Sequence, residues 1–308
     1  MADMLNDDAV IERGQNILYD QWGEMRRLRR VVLTTWALED IHDLRVASRR
    51  FRAALRLFSP FTPRDQTTAL QKRVRKLTRA LGRLRNIDEA GEFFLAIVPS
   101  GSTGHARPPR SVVAVLTDMR KDEVARVRTV LKAFRPKKLD PSVREVASGI
   151  IRGTAPDLSD ADFPAYLADT SLGLLQQIRG HLAPAELPEN AEARHALRIA
   201  VKKWRYFLEI AARILGRDYA AILERLKNYQ SVLGRMNDMV EFSTLCRDLK
   251  LKPPERQAVE EALRREAGLL WERFVELLEM QPLCTSDTAA NNLTCSLHTQ
   301  SSTLNTNG

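Results

Sequence analysis

Apolar residues return every three to four positions along most of the chain, the repeat of a helix that buries one face. From Asp8 to about Thr35 the positions Ile11, Ile17, Trp22, Met25, Leu28 and Val32 keep that rhythm, with Asp8 placed to cap. From Ile41 to Phe58 the apolar stripe is Leu44, Ala47, Phe51, Leu55 and Phe58, and the opposite stripe is almost wholly cationic: His42, Arg45, Arg49, Arg52 and Arg56. Thr62 as cap and Pro63 in the first turn open a long helix to about Val98. Its apolar face is Leu70, Val74, Leu77, Leu81 and Leu84, and Lys72, Lys76, Arg79, Arg83 and Asn86 follow one another on the other side. Further helices are predicted from Arg110 to about Phe134, from Pro141 to near Gly153, and from Pro164 to about Leu182. Three more run from Pro188 through a second basic stretch, from about Asp218 to Leu249, and from Pro253 to about Met280. All fourteen prolines fall in proposed breaks or first turns and no period-two strand stands out, so the chain reads as all-α with about nine helices.

The basic stretch comes back 153 positions later. His195, Arg198, Lys202 and Arg205 repeat the stripe, backed by Leu197, Ala200, Trp204 and Leu208. His42 meets His195, Arg45 meets Arg198, Arg49 and Arg50 meet Lys202 and Lys203, and Phe51 meets Trp204. Solvation alone asks for no particular residue at each step, so two matching copies point to an internal repeat. The expected architecture is an internally duplicated pair of four-helix bundles with pseudo-twofold symmetry, the basic helices meeting near the axis around a central basic cavity. The first half is placed at 8–135, a connector at 136–160 and the second half at 161–280. Residues 281–308 turn to Ser, Thr and Asn with hardly a charge and read as a disordered tail without a part in function.

Charge narrows the partners. A net charge of +9 and a pI near 9.7 favour polyanions: nucleic acid, an anionic membrane surface or a phosphate polymer. The four arginines Arg26, Arg27, Arg29 and Arg30 suit the negative end of the first helix dipole. Cys246, Cys284 and Cys295 are odd in number and lack CxxC spacing, which argues against a disulfide framework or a zinc site and fits a reducing cytosol. The acidic start MADMLNDDAVIERG lacks an apolar signal core, and no run reaches the roughly 18 to 20 apolar residues of a membrane span, so a cytoplasmic protein is expected. His105 reads as a loop histidine, and Cys284, Cys295 and His298 in so polar a tail as no metal site. No P-loop glycine pattern, carboxylate cluster for magnesium or nucleophile with a positioned base is evident, so no catalytic residue, cofactor or metal is assigned.

The segments HDLRVASRRFRAALRLF (42–58) and HALRIAVKKWRYFLE (195–209) closely resemble the signature of the CHAD family, named for a conserved histidine and an α-helical domain. LGRLRNIDEA (81–90) and LGRMNDMVEF (233–242) resemble its second motif in each half, and the likeness covers roughly 8–280. The resemblance implies a duplicated helical domain that binds inorganic polyphosphate in a basic cavity without catalysis, in bacteria often at polyphosphate granules. Carried over by position, the ligand-facing set is His42, Arg45, Arg49, Arg50, Arg52 and Arg56 with Lys72, Lys76, Arg79 and Arg83. The second half adds His195, Arg198, Lys202, Lys203 and Arg205 with Lys227 and Arg235. Phosphate or sulfate ions are expected as stand-ins for the polymer. Either histidine has two open roles, an N–H donor to the ligand or an interhelical hydrogen bond. The family also occurs fused to a triphosphate-hydrolysing tunnel domain called CYTH, and no stretch here resembles one. Asn86 departs from the Asp common in the second motif, and Glu224, Asn228 and Ser231 stand opposite Lys72, Lys76 and Arg79, so the second half's long helix is expected to contribute less. The rivals are a nucleic-acid module, without helix-turn-helix spacing or base-stacking aromatics to support it, and a phosphohydrolase or phosphotransferase using histidine.

Overall fold

The computed structural model describes residues 7–96, 110–150, 163–247 and 249–283. Among them it has nine α-helices, one short 3-10 turn at Ser59–Phe61 and no strand. The helices are α1 (Asp7–Thr35), α2 (Leu38–Leu57), α3 (Arg64–Ala96), α4 (Arg110–Ala133), α5 (Pro136–Gly149), α6 (Phe163–Ala185), α7 (Ala191–Leu215), α8 (Ala220–Arg247) and α9 (Pro253–Met280). Each of α1 to α4 packs on the next, as does each of α6 to α9. Helix α5 lies on α1 and α3, α7 meets both α1 and α2, and α3 meets α8.

The apolar stripes explain this packing. Phe51 of α2 and Trp204 of α7 are fully buried, and Trp22 of α1 lies 5.4 Å from Phe51 between ring centroids. Burying one such side chain stabilises by about 1.5–3 kcal/mol, so each basic helix is held by its apolar back. With the backs fixed and α2 against α7, the cationic faces have little choice of direction. A second apolar cluster, Phe93, Phe94, Phe242 and Val259 among others, ties α3, α4, α8 and α9 together.

The α1–α2 link is strained and pinned. Trp36 has φ 53, a left-handed conformation unfavourable for a bulky residue. Arg120 of α4 holds it, donating to the Trp36 carbonyl at 3.0 Å and to buried Asp88 at 2.7 Å, and the Arg128 guanidinium lies 5.0 Å from the ring centroid. This fixes where α2 starts.

Several boundaries differ from the periodicity. Helix α1 begins at Asp7, which puts Asp8 inside it. Its last turn contains no basic residue, so the four arginines do not serve its dipole. Arg26 pairs with Asp140 of α5 at 3.2 Å, Arg27 with Glu24 at 2.7 Å, and Arg29 donates twice to the Leu131 carbonyl of α4. Helix α3 begins at Arg64, and the Thr62 hydroxyl turns to Thr67 at 2.8 Å. Helix α5 starts at Pro136 and carries Pro141 within it, and α6 runs through Pro184, so not every proline marks a break. In α5 the buried Leu139, Val143 and Val146 pack on α1 and α3, which outweighs one missing ladder bond. Helix α7 is capped by Asn190, which accepts from the Ala193 N–H, rather than opened at Pro188, and ends on Gly216 at φ 62. Of the segment assigned to the tail, Leu283 is buried and the Pro282 carbonyl accepts from Arg225. His105, Cys284, Cys295, His298 and the close of the connector lie outside the described residues.

Candidate functional site

Where α2 meets α7 the two cationic stripes face each other. Arg49 donates through Nε (3.1 Å) and Nη2 (2.9 Å) to the hydroxyl of Tyr206, a buried residue of α7. Its guanidinium lies 5.8 Å from that ring's centroid and that of Arg205 5.4 Å, so one tyrosine positions two arginines. Arg45 is half-buried and its Nε has no hydrogen-bond partner. Burial first, then Arg49 and, with Glu89 opposing, Arg198, weaken its hold on the proton. Lys202 shows the same strain more sharply: burial, then Arg49, Arg198, Arg45 and Arg205, push its ammonium down to about 6. Arg52 is depressed by burial and then by Arg56, by Arg75 and Arg79 of α3, and by Arg49. Cations of α2, α3 and α7 therefore share one field and repel one another in a partly desolvated setting.

Several other members of the expected set have partners of their own. Arg50 turns to Glu209 of α7 at 3.2 Å and Lys203 to Gln177 of α6 at 3.3 Å, so the second cation of each pair is engaged by another side chain. Arg205 Nε is 3.0 Å from Glu209 Oε1, within ion-pair range but not aligned for a hydrogen bond. Arg83 lies 3.8 Å from the buried Glu123 of α4, Lys227 pairs with Glu224 along α8, and Arg235 with Glu266 of α9. Lys72 and Arg56 are exposed, and Lys76 lines a separate cleft with α4 and α5. The histidines differ. His195 Nδ1 is 2.5 Å from Asn237 Oδ1, an interhelical bond from α7 to α8. His42 Nδ1 is buried without a partner, and burial followed by Arg85 lowers its pKa.

An acidic network joins α3 and α8. Arg85 holds Glu89 at 2.9 Å, and Asn86 and Asn237 both donate to Glu241. Burial, then the Glu89 carboxylate, push Asp238 up to about 7, against the pull of Arg198. Among the described residues no group of three or more His, Cys, Asp or Glu is placed to hold a metal, and no helix is long and apolar enough to cross a membrane.

The family model of the CHAD domain matches residues 16–247. The chain belongs to the CHAD domain family. The CHAD domain from the plant Ricinus communis is 22% identical over 94% of this chain and 91% of that one, with a TM-score of 0.61. PptA from Streptomyces chartreusis is 18% identical over 87% of this chain and 99% of its own, also at 0.61. At these identities the likeness is one of fold. No curated protein matches the chain.

Within this CHAD fold, three features escaped the sequence pattern. Tyr206 continues the run His195, Arg198, Lys202 at the same helical spacing, a signal masked by the ordinary use of an aromatic ring as apolar backing. Arg75 falls one position before Lys76 and faces Arg52, whereas the stripe was followed through Lys76. The carboxylates Glu89, Asp238 and Glu241 became visible only once α3 was seen against α8.

Proposed function

We propose that this chain binds inorganic polyphosphate in the trough between α2, α3 and α7, without turning it over, and that it does so in the cytoplasm at polyphosphate granules. One observation carries the reading: Arg45, Arg49, Arg198, Lys202 and Arg205 are crowded and partly buried to the point that the Lys202 ammonium is destabilised by the others. Such an arrangement costs the empty protein free energy and is relieved by an anion. Every phosphoryl unit of the polymer carries negative charge, and a file of cations from three helices suits a line of phosphates better than a single deep pocket does. Arginine offers a planar fork to two phosphate oxygens and lysine a mobile point charge.

The sequential packing of α1 to α4 and of α6 to α9, with α2 on α7 and α3 on α8, supports a duplicated unit around a pseudo-twofold axis with a basic cavity at its centre. The bond from His195 to Asn237 supports a positioning role for that histidine. His42 Nδ1 is buried without a partner, and a ligand role for that histidine rests on its other ring nitrogen.

The test is a titration of pure protein with long polyphosphate and with duplex DNA at equal charge, each at two salt concentrations. Polyphosphate should bind with a steep salt dependence, since neutralised phosphates release counterions, and DNA should compete poorly. The double variant Arg45→Glu/Arg198→Glu should bind at least about tenfold more weakly, roughly 1.4 kcal/mol, at unchanged helical content. Equal displacement by DNA favours a nucleic-acid module, and orthophosphate release abolished in His42→Ala an enzyme.

A further inference from the structure

A second cluster of cations lies outside the trough. Arg73 and Lys76 of α3, Arg135 at the α4–α5 junction and Lys138 of α5 line a cleft of about 520 Å³ whose floor includes the buried Phe134 and Leu139. No carboxylate lines it. Among the described residues none of the four pairs with one, unlike Arg50, Arg83, Lys227 and Arg235. The nearest acid along α5, Asp140, is taken up on the α1 side by Trp22 (2.8 Å) and Arg26 (3.2 Å). Arg135 is also the residue before the first turn of α5, a helix of 14 residues whose positive dipole end adds to the local field.

Four exposed, convergent cations over an apolar floor, with no carboxylate among them, form a ready anion site. Two come from the middle of α3, whose neighbouring positions Arg75 and Arg79 face Arg52 in the trough. Residues three and four apart on a helix are surface neighbours, so the crest of α3 from Arg79 through Lys76 to Arg73 is an unbroken cationic path from trough to cleft.

We propose that the cleft between α3, α4 and α5 is a second phosphate-binding site that takes the overhanging phosphates of a chain already held in the trough. The inference rests on the polyphosphate reading and assigns it a chain-length preference. Short chains use the trough alone. Long chains cross α3 and gain the second set of contacts as an intramolecular event, at high effective concentration.

The experiment is calorimetric titration of the full chain with tripolyphosphate and with long-chain polyphosphate. It compares wild type, the cleft variant Arg73→Glu/Arg135→Glu, a milder Arg73→Gln/Arg135→Gln, and the trough variant Arg45→Glu/Arg198→Glu. Wild type should bind long chains at least about tenfold tighter per molecule than tripolyphosphate. Both cleft variants should lose most of that advantage and keep wild-type affinity for tripolyphosphate. A cleft variant of wild-type helical content that retains the full advantage overturns the second site alone. Wild-type binding of both probes by the trough variant, or none by the wild type, overturns the functional reading and the inference with it.

Discussion

Lys202 offers a quantitative handle on the trough. Its ammonium is pushed down to about 6 by burial and by Arg49, Arg198, Arg45 and Arg205. At pH 7 only about a tenth of the molecules carry that proton, and charging the remainder costs about 1.4 kcal/mol per pH unit above the pKa. A polyanion laid beside Lys202 favours the charged form and returns it toward the ordinary lysine range near 10.4. Binding at pH 7 should therefore take up about 0.9 proton at this site, and affinity should fall about tenfold per pH unit between roughly pH 7 and pH 9. Calorimetry in two buffers of different ionisation enthalpy measures that proton directly. Lys202→Arg, charged throughout, should bind without this site's uptake, and Lys202→Met should lose this site's uptake and most of the pH slope. His42, depressed by burial, and Asp238, raised to about 7 and coupled to Arg198, set a background of proton uptake that remains in both variants. Equal uptake in Lys202→Met and wild type, or a flat affinity from pH 7 to pH 9, would refute the assignment of Lys202 to the ligand.

Three further outcomes concern the scaffold. Asp238 has a folded-state pKa of about 7, above its ordinary 3.8, so its contribution is full below about pH 4 and is lost as pH rises through 7. Asp238→Asn should raise the melting temperature at pH 8 relative to wild type, with the difference vanishing near pH 4. Trp204→Ala, emptying a fully buried site, should cost about 3–5 kcal/mol in denaturant unfolding. Arg120→Met leaves Asp88 buried without its partner and releases the Trp36 carbonyl, and should cost about 3–5 kcal/mol; a loss under 1 kcal/mol would mean that water reaches Asp88.

The basic helices were legible because each carries two instructions at once. Phe51 and Trp204 name the buried face, and that choice leaves Arg45, Arg49, Arg198 and Lys202 pointing away from the core. What the pattern could not supply was the partner of each charge. Arg49 bonds Tyr206, Arg50 bonds Glu209, Arg83 reaches Glu123 and Arg235 reaches Glu266, all distant in the chain, and periodicity is silent on such pairs. Hence Arg50 and Lys203, equal to Arg49 and Lys202 on paper, end bonded to Glu209 and Gln177. The prolines misled for a related reason: Pro141 and Pro184 lie within helices whose tertiary packing offsets a lost backbone bond. The arginines of α1 likewise found Asp140 and the Leu131 carbonyl, which no local rule places beside them.

The most direct measurement is a crystal structure of the full chain grown with polyphosphate. A file of phosphates within hydrogen-bonding distance of Arg45, Arg49, Arg198 and Lys202 is the predicted result. Ordered phosphates elsewhere on the surface, with those four side chains unliganded and unmoved, would contradict it.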